Sequence, residues 1–301
     1  MAEGFDEHDR ASELARALAT FLARHPNTLV LTGAGLSTAS GIPDYRDRDG
    51  VRRGRLPIQG PEFRRSPAVQ RRYWARSMIG WPVLAQARPN AGHAALAALE
   101  AGGHTGALLT QNVDGLHQRA GSQAVLELHG NIHGVLCLDC GARVTRAAVQ
   151  DQLLAANPHA ANAAAQPLPD GDAQVEPAFL DDFQLPVCGE CGGSLMPDVV
   201  FFGDNVPAAR TASALAQMAA ADALLVVGSS LMVFSGFRFC RLAAEAGKPI
   251  AAVNLGRTRA DHMIALKIEA SAERLLPPVA RLLAAGAALP HTEFIHERGV
   301  F

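Results

Sequence analysis

The sequence predicts an α/β fold whose ligand-binding residues stand at strand ends, joined to a smaller metal-bearing unit. Three observations predict it. Short runs of buried-type, β-prone residues alternate with stretches of helical composition, and each run closes on glycine or polar residues. The first run, Thr28 to Leu31, ends in Thr32 and enters a turn carrying Gly33 and Gly35. Two C-x-x-C pairs stand far apart in a chain with only five cysteines.

Composition sets the bounds. A chain of 301 residues, 49% hydrophobic and 19% charged, can bury a substantial core, in one large domain or in a large domain with a small satellite. The net charge of -2 gives no global positive field to recruit nucleic acid or acidic membranes. The opening MAEGFDEHDR has neither the apolar core of a signal peptide nor the Arg-rich look of a transit peptide, and no apolar run is long enough to span a bilayer. In such a setting paired cysteines suggest metal rather than disulfides, and the expected location is a bacteria-like cytoplasm.

Taken in order, residues 11 to 24 put Leu14, Leu18, Phe21 and Leu22 on one helical face, and Pro26-Asn27 stops that helix. Glycines in the turn after the first strand would let the backbone approach a diphosphate and aim N–H groups at it. The fingerprint G-x-G-x-x-G is not completed, because Thr38 stands at the third glycine, so a plain tight turn fits as well. Asp44, Arg46, Asp47, Arg48, Asp49, Arg52, Arg53 and Arg55 follow, either as a solvated loop or as a flap that orders over an anionic cofactor. Residues 67 to 88, with Tyr73, Trp74, Met78, Ile79 and Trp81, read as an inserted helical module outside the main sheet.

From Asn90 the alternation resumes. AGHAALAALEAGG is a helix stopped by Gly102-Gly103, and GALLTQNVDGLH is a strand running into Gln111, Asn112, Asp114 and His117 at its carboxyl end, where open α/β sheets place ligands. Val125 to Leu128 repeats the arrangement with His129-Gly130 at its exit. A single strand-end histidine suits a structural role, but Asn112, Asp114 and His129 together at the exits of one sheet favour a functional one.

Cys137-Leu-Asp-Cys140 and Cys188-Gly-Glu-Cys191 are each followed by glycine, as in zinc-ribbon knuckles. Four thiolates close a tetrahedral site, so the ion would hold structure rather than do chemistry. The other reading is two unrelated reduced pairs. Between them ANPHAANAAAQPLPDGDAQ reads as a flexible excursion, and Cys240 in FRFCRLAAEAG reads as a buried apolar residue. In the last third VVFFG, ALLVVGSSL and IAAVNLG are strand-like, and stretches 207 to 221 and 236 to 247 are helical. Gly228, Ser229, Ser230, Asn254, Leu255 and Gly256 thus form two further ligand-facing loops, with Asn254 where an acidic ribose ligand is usual. Residues 273 to 284 close the chain as a helix, and the tail after Gly286 is not informative.

In this order GAGLSTASGIPDYR, TQNVD, LHG, the two C-x-x-C pairs, DVVFFGD, GSSL and VNLG resemble the sirtuin family, over residues 28 to 256 and, through the final helix, nearly the whole chain. YWARSMIGWP, PNAGH, LCLDCG, PDVVFFGDNVP and VVGSSLMVFSG are most similar to its class II branch, to which a mitochondrial lipoamidase and ADP-ribosyltransferase belongs. The resemblance implies a Rossmann-like doubly wound parallel sheet with a smaller domain made of a zinc-ribbon module and a helical module. Mapped here, the large domain is residues 1–43, 91–134 and 197–301, the cofactor loop and helical module 44–90, and the zinc-binding module 135–196.

It implies an NAD-dependent lysine deacylase that releases nicotinamide and 2′-O-acyl-ADP-ribose, the acyl oxygen of the substrate lysine replacing nicotinamide at C1′ of the ribose. On that resemblance His129 is the general base toward the ribose hydroxyls, Asn112 orients the ribose and any attacking water, and Asp114 holds the nicotinamide carboxamide. Cofactor contacts fall on Gly33, Ala34, Gly35, Ser37, Asp44, Tyr45, Arg46, Gln111, Asn112, Val113, Asp114, Gly228, Ser229, Ser230, Asn254, Leu255, Gly256 and Ala272. An acyl-lysine peptide, the partner implied, pairs as an extra strand between the segments around Val200, Phe201, Phe202 and Gly203 and around Met232 and Val233. Cys137, Cys140, Cys188 and Cys191 hold one structural zinc, and the expected assembly is a monomer with no nucleic acid or membrane partner.

Two departures matter. Tyr45 replaces the phenylalanine most of the family carries after GIPD, a change the class II branch shares. Tyr73 and Arg76 echo the Tyr-x-x-Arg pair with which desuccinylases grip acyl carboxylates, although an aromatic and an arginine on a packed helix serve as well. Three classes stay open: a deacylase favouring acyl groups longer than acetyl or acidic ones, a protein mono-ADP-ribosyltransferase, and a non-catalytic NAD- or zinc-binding module.

Overall fold

The computed structural model describes residues 3–52, 57–160, 167–168, 172–173, 180 and 182–286. Of the charged run, Arg53 and Arg55 lie outside them, as do most of the excursion between the cysteine pairs and the tail after Gly286.

Helix α1 (Glu3–Arg24) leads into β1 (Thr28–Thr32), whose five residues are all buried. The glycine turn opens a single helical turn, α2 (Ala34–Ser37). After the charged loop come α3 (Gly60–Arg65) and α4 (Pro67–Gln86), the latter started by Pro67 and by Ser66, whose hydroxyl accepts from the Val69 amide at 3.3 Å. Helix α5 (Ala91–Ala101) begins with a capping box: the Asn90 side chain accepts from the Gly92 and His93 amides while the His93 ring accepts from the Asn90 amide. Strand β2 (Leu108–Thr110), the short α6 (Leu116–Arg119) and β3 (Val125–Glu127) follow. Then the chain enters β4 (Gly130–Cys137), β5 (Arg143–Thr145), α7 (Arg146–Ala156), the two-residue strands β6 (Pro167–Leu168) and β7 (Asp172–Ala173), and β8 (Leu195–Val199). It closes through α8 (Ala208–Ala220), β9 (Ala223–Val227), α9 (Phe234–Glu245), β10 (Ile250–Val253), β11 (Leu266–Ile268) and α10 (Ala272–Ala284).

Six strands form one parallel sheet in the order β11-β10-β9-β1-β2-β3. Both faces are covered, and strand periodicity assigns the side chains. Val30, Leu225 and Val227 face one core with Leu18, Leu96 and Leu276, while Leu29, Leu31, Leu224 and Val226 face the other with Met218, Phe239 and Cys240. Strand order reverses between β1 and β9, the place where such a sheet opens a crevice beyond its carboxyl ends.

The smaller sheet is antiparallel, β5-β4-β8. One hydrophobic cluster joins it to the helical insertion, with Phe63, Trp74 and Met78 packed among Val135, Val149, Leu153 and Leu195. Two sequence expectations change here. VVFFG is not a strand of the main sheet: Val199 ends β8 in the small sheet, and Phe202 makes only a bridge to Gln59. The reason is that β8 continues the cysteine unit by pairing with β4, so the expected boundaries at 134/135 and 196/197 both fall inside strands. Strand β11 was not anticipated, because its three residues include Lys267 and show no apolar run. Among the described residues no helix is long and apolar enough to cross a membrane.

Candidate active site and cysteine centre

The turn after β1 and the turn after β9 lie against each other. Gly33 N–H donates to Val227 O at 3.0 Å and Gly35 N–H to Gly228 O at 2.8 Å. A Cβ on Gly33 would stand 2.8 Å from Ser229 Cβ, and one on Gly35 would stand 2.9 Å from Gly228 O. These glycines are therefore required by loop-to-loop packing, and their own amides are spent on it. This corrects the expectation that they aim N–H groups at a phosphate.

Polar residues at the β2 exit are locked from behind. The Asn112 amide donates to Thr110 Oγ1, and its Nδ2 donates to Gly33 O and Ser37 Oγ, both at 3.1 Å. Ser37 Oγ–H donates to Asp114 Oδ2 at 2.7 Å, while Asp114 Oδ1 accepts the Leu116 amide at 3.0 Å. Asn112 and Asp114 are buried, so these bonds fix both side chains in a medium where an unpaired polar group is costly. Gln111 Nε2 reaches Ser229 Oγ at 2.8 Å, tying the β2 exit to the β9 turn.

His129, at the β3 exit, completes the corner. Its Nδ1 lies 2.8 Å from Gln111 O; a carbonyl only accepts, so Nδ1 carries the proton and Nε2 is the free base. Nε2 sits 2.8 Å from Ser235 Oγ, which donates to it. Burial holds the imidazole below its ordinary value, the Gln111 carbonyl opposes that shift, and Arg210 adds to it. The ring is neutral at physiological pH, with its basic nitrogen toward α9.

These groups line one cavity of about 650 Å³, the size of a nucleotide-class ligand site. Gly33, Ala34, Gly35, Ser37, Asp44, Tyr45 and Arg46 line it from the β1 side, and Gln111, Asn112, Val113, Asp114 and His129 from the sheet. Gly228, Ser229, Ser230, Asn254, Leu255 and Ala272 close the other end, and Val200, Phe201, Phe202, Gly203, Met232, Val233, Tyr73 and Arg76 form the outer walls. Gly256 is the exception. It stands at φ 89° with its amide on Glu269, and a Cβ there would run into the Arg48 carbonyl, so it docks the charged loop rather than lining the cavity. That loop is ordered by Arg46, which donates to Gly50 O at 2.8 Å, and by Arg257 N–H on Arg48 O at 2.9 Å. Arg52 spreads over the rings of Tyr45 and Phe202, at 5.8 and 5.0 Å.

Sequence reading missed Ser235, Arg238, Arg257 and Glu273 in the lining. Ser235 bonds a ring 106 residues away, so no local pattern could reveal it; its one signal was its place at the entrance of a helix following a ligand-facing loop.

On the small sheet the four thiols converge. Cys137, Cys140, Cys188 and Cys191 offer sulfurs all within 4.8 Å of one another, with Cys137–Cys191 at 3.6 Å and Cys140–Cys188 at 3.7 Å. A tetrahedron of about 2.3 Å zinc–sulfur bonds has edges of about 3.8 Å, so the set fits one closed ion. Amides of Cys140 and Asp139 donate to Cys137 Sγ and bring its thiol down to about 7. Cys240 is separate, on the buried face of α9, where burial pushes its thiol up to about 12.

The Sir2 family model matches residues 33–235. The NAD-dependent protein deacetylase 3 of Pseudomonas syringae pv. tomato is 54% identical over 256 residues, spanning 85% of this chain and 91% of the relative. The NAD-dependent protein deacetylase of Bordetella bronchiseptica is 51% identical over 270 residues, spanning 90% and 98%. Among solved structures, a Sir2 bound to a p53 peptide and NAD+ superposes with a TM-score of 0.71 at 31% identity, over 90% of this chain and 97% of that one. A Sir2Tm bound to a propionylated peptide gives 0.66 at 31%, over 88% and 95%. A family match running from the glycine turn to the serine that holds His129, with relatives more than half identical over most of both chains, leaves one assignment: this chain belongs to the Sir2 family.

Proposed function

We propose that this chain is an NAD-dependent protein lysine deacylase of the class II branch, releasing nicotinamide and 2′-O-acyl-ADP-ribose, and that it works as a cytoplasmic monomer. The observation that carries the reading is a neutral His129 in the wall of the cavity, its Nδ1–H on the carbonyl of Gln111, the residue that precedes Asn112 of the rigid Asn112–Ser37–Asp114 corner. NAD supplies an electrophilic ribose carbon and a stable leaving group. Everything else falls to the chain.

His129 takes a proton from a ribose hydroxyl at Nε2, displacing the Ser235 hydroxyl that holds that nitrogen. Its Nδ1–H stays on the Gln111 carbonyl, which keeps the ring oriented and steadies the cation that forms. Asn112, with Nδ2 committed to Gly33 and Ser37, presents its carbonyl end to the ribose and to the attacking water. Asp114 holds the nicotinamide carboxamide with the lone pairs that Ser37 and Leu116 leave over. Residues from Gly33 to Arg46 and the turns at Gly228–Ser230, Asn254–Leu255 and Ala272 hold the rest of the dinucleotide. The peptide adds as a strand between Val200–Gly203 and Met232–Val233, and the acyl chain runs toward Tyr73 and Arg76. Zinc, on the four cysteines, holds the small sheet.

A panel of acetyl-, glutaryl- and lipoyl-lysine peptides with NAD, read by mass spectrometry, tests the proposal. The expected result is O-acyl-ADP-ribose from each active peptide, with acyl groups longer than acetyl giving the higher kcat/KM. Acetyl ahead by about tenfold overturns the acyl preference. Adenylate-labelled NAD separates the chemistry: label on a small product supports deacylation, and label on protein supports ADP-ribosyl transfer instead.

A further inference from the structure

Helix α4 forms one wall of the cavity, and an internal proline breaks its hydrogen-bond ladder. Pro82 lies in its fifth turn, where it can supply no N–H to the carbonyl of Met78 and its ring crowds that carbonyl. The break separates the cavity-lining residues of this helix: Tyr73 and Arg76 lie before it and Leu84 after it. The angle at Pro82 therefore sets how far apart the two parts of this wall stand.

The carbonyl that Pro82 leaves without its N–H is satisfied from another element, and the same element reaches the carbonyl beside it. Gln150 Nε2, on α7 of the cysteine unit, donates to Met78 O at 2.8 Å. Arg146 Nη2, one turn earlier on the same helix, donates to Ser77 O and Ser77 Oγ at 3.1 Å each. The guanidinium is also held between two ring faces of α4, 5.4 Å from the Trp74 centroid and 4.8 Å from that of Trp81. Arg146 is fully buried, its Nε and Nη1 make no hydrogen bond, and among the described residues it has no carboxylate partner within salt-bridge distance. A buried cation without a counter-charge destabilises a core unless it does something an apolar residue cannot. Here it supplies donors to a broken helix.

We propose that Arg146 and Gln150 are positioning residues for acyl selectivity: from outside the cavity they clamp the Pro82 break in α4 and so fix Tyr73 and Arg76 relative to Leu84. The inference rests on the deacylase reading above and adds to it a specificity device carried by the cysteine unit. Removing the donors lets the break open or straighten, which moves Tyr73 and Arg76 relative to Leu84, while Leu84 stays packed with Val113 and Leu116 beside the Asn112–Asp114 corner.

The test compares wild type with Arg146→Met, Arg146→Lys, Gln150→Leu, Pro82→Ala and the pair Gln150→Leu/Pro82→Ala, on acetyl, octanoyl and glutaryl peptides. For Gln150→Leu and Arg146→Met the ratio of long-acyl or glutaryl to acetyl kcat/KM shifts by about fivefold or more, while KM for NAD and bound zinc stay at wild-type values. Arg146→Lys, which keeps a donor, recovers part of the ratio. Pro82→Ala restores the helix's own N–H to Met78 O, so Gln150→Leu in that background changes the ratio by less than about twofold. Variants that lose all activities in parallel, or a ratio that Pro82→Ala does not make insensitive to Gln150, overturn the clamp. A wild type that turns over none of the peptides overturns the deacylase reading and this inference with it, whereas an active wild type with unchanged ratios in the variants overturns the clamp alone.

Discussion

The two sheets of this molecule are held by different physics. In the large sheet every residue of β1 and β9 is buried, and apolar cores cover both faces, so burial alone gives it a single arrangement. The small sheet has three strands; β5 is mostly exposed, and the core beneath it draws on the buried cysteines Cys137 and Cys188. Such a sheet needs a cross-link, which four converging thiolates and one ion supply. The proposed acid-base groups hang from the first sheet, while Tyr73 and Phe201 of the outer wall pack with the second. Chemistry and acyl choice thus sit on scaffolds that can be perturbed one at a time. The sequence has two tryptophans, both on α4, Trp74 in the core of the smaller half and Trp81 against the Val113–Leu116 cluster at its seam with the larger, so fluorescence is weighted to the smaller half and the seam while far-UV dichroism is weighted to the larger half.

Stripping the metal is the largest perturbation. Structural zinc contributes roughly 10 kcal/mol or more to small domains. A strong chelator, or Cys188→Ser, is expected to shift tryptophan emission to the red and abolish deacylation, with most of the helix signal retained. Dichroism and fluorescence collapsing together at one chelator concentration would break the comparison by showing that the halves unfold as one. His129→Ala acts on the other side. Loss of a general base lowers kcat by about 10²- to 10⁴-fold, with emission and bound zinc unchanged; steady-state nicotinamide release measures it.

How much of this was legible in the sequence follows the same division. Strand ends of the large sheet could be read because buried parallel strands are continuous apolar runs, so Gln111, Asn112, Asp114, His129 and Ser229 stood out where those runs stop. The four thiols could be read because ligand spacing is local. What could not be read is where separate segments meet. Gly33 and Gly35 serve the β9 turn, Gly256 serves the charged loop, and Ser235 serves His129, and each pairing spans most of a domain in sequence. VVFFG was misplaced for the same reason, since a short apolar run does not say which sheet will pair with it.

Ser37 sharpens the picture within the large half. Its hydroxyl is the shared partner of Asn112 Nδ2 and Asp114 Oδ2. Ser37→Ala leaves both buried groups short of a bond, which costs about 1–3 kcal/mol. The expected outcome is a kcat/KM for NAD lowered by about tenfold with acyl-peptide ratios unaltered. A change in those ratios would mean the two scaffolds are not separable at this corner.

Acid is the mildest probe, and it acts on the large sheet through two buried rings. His93 and His117 lie with centroids 5.0 Å apart, and burial lowers them to about 4 and about 3. Both are neutral in the fold, so their stabilising contribution is present above the unfolded imidazole value of about 6.5. Below that value the unfolded chain takes up protons that the folded chain does not. Stability therefore falls with pH toward the folded values, by up to about 1.4 kcal/mol per pH unit for each ring. The loss reaches the site, because His117 Nε2 bonds Thr32 Oγ1, Thr32 bonds Thr110 Oγ1, and Thr110 accepts the Asn112 amide. Urea midpoints followed by dichroism in excess zinc are expected to drop between pH 7 and pH 5, and His93→Gln, which keeps a polar group that cannot titrate, flattens that slope. Were the tryptophan-reported midpoint to fall as steeply as the dichroism midpoint, the acid response would belong to the whole molecule and not to the large half, whose helices α5 and α6 carry these rings.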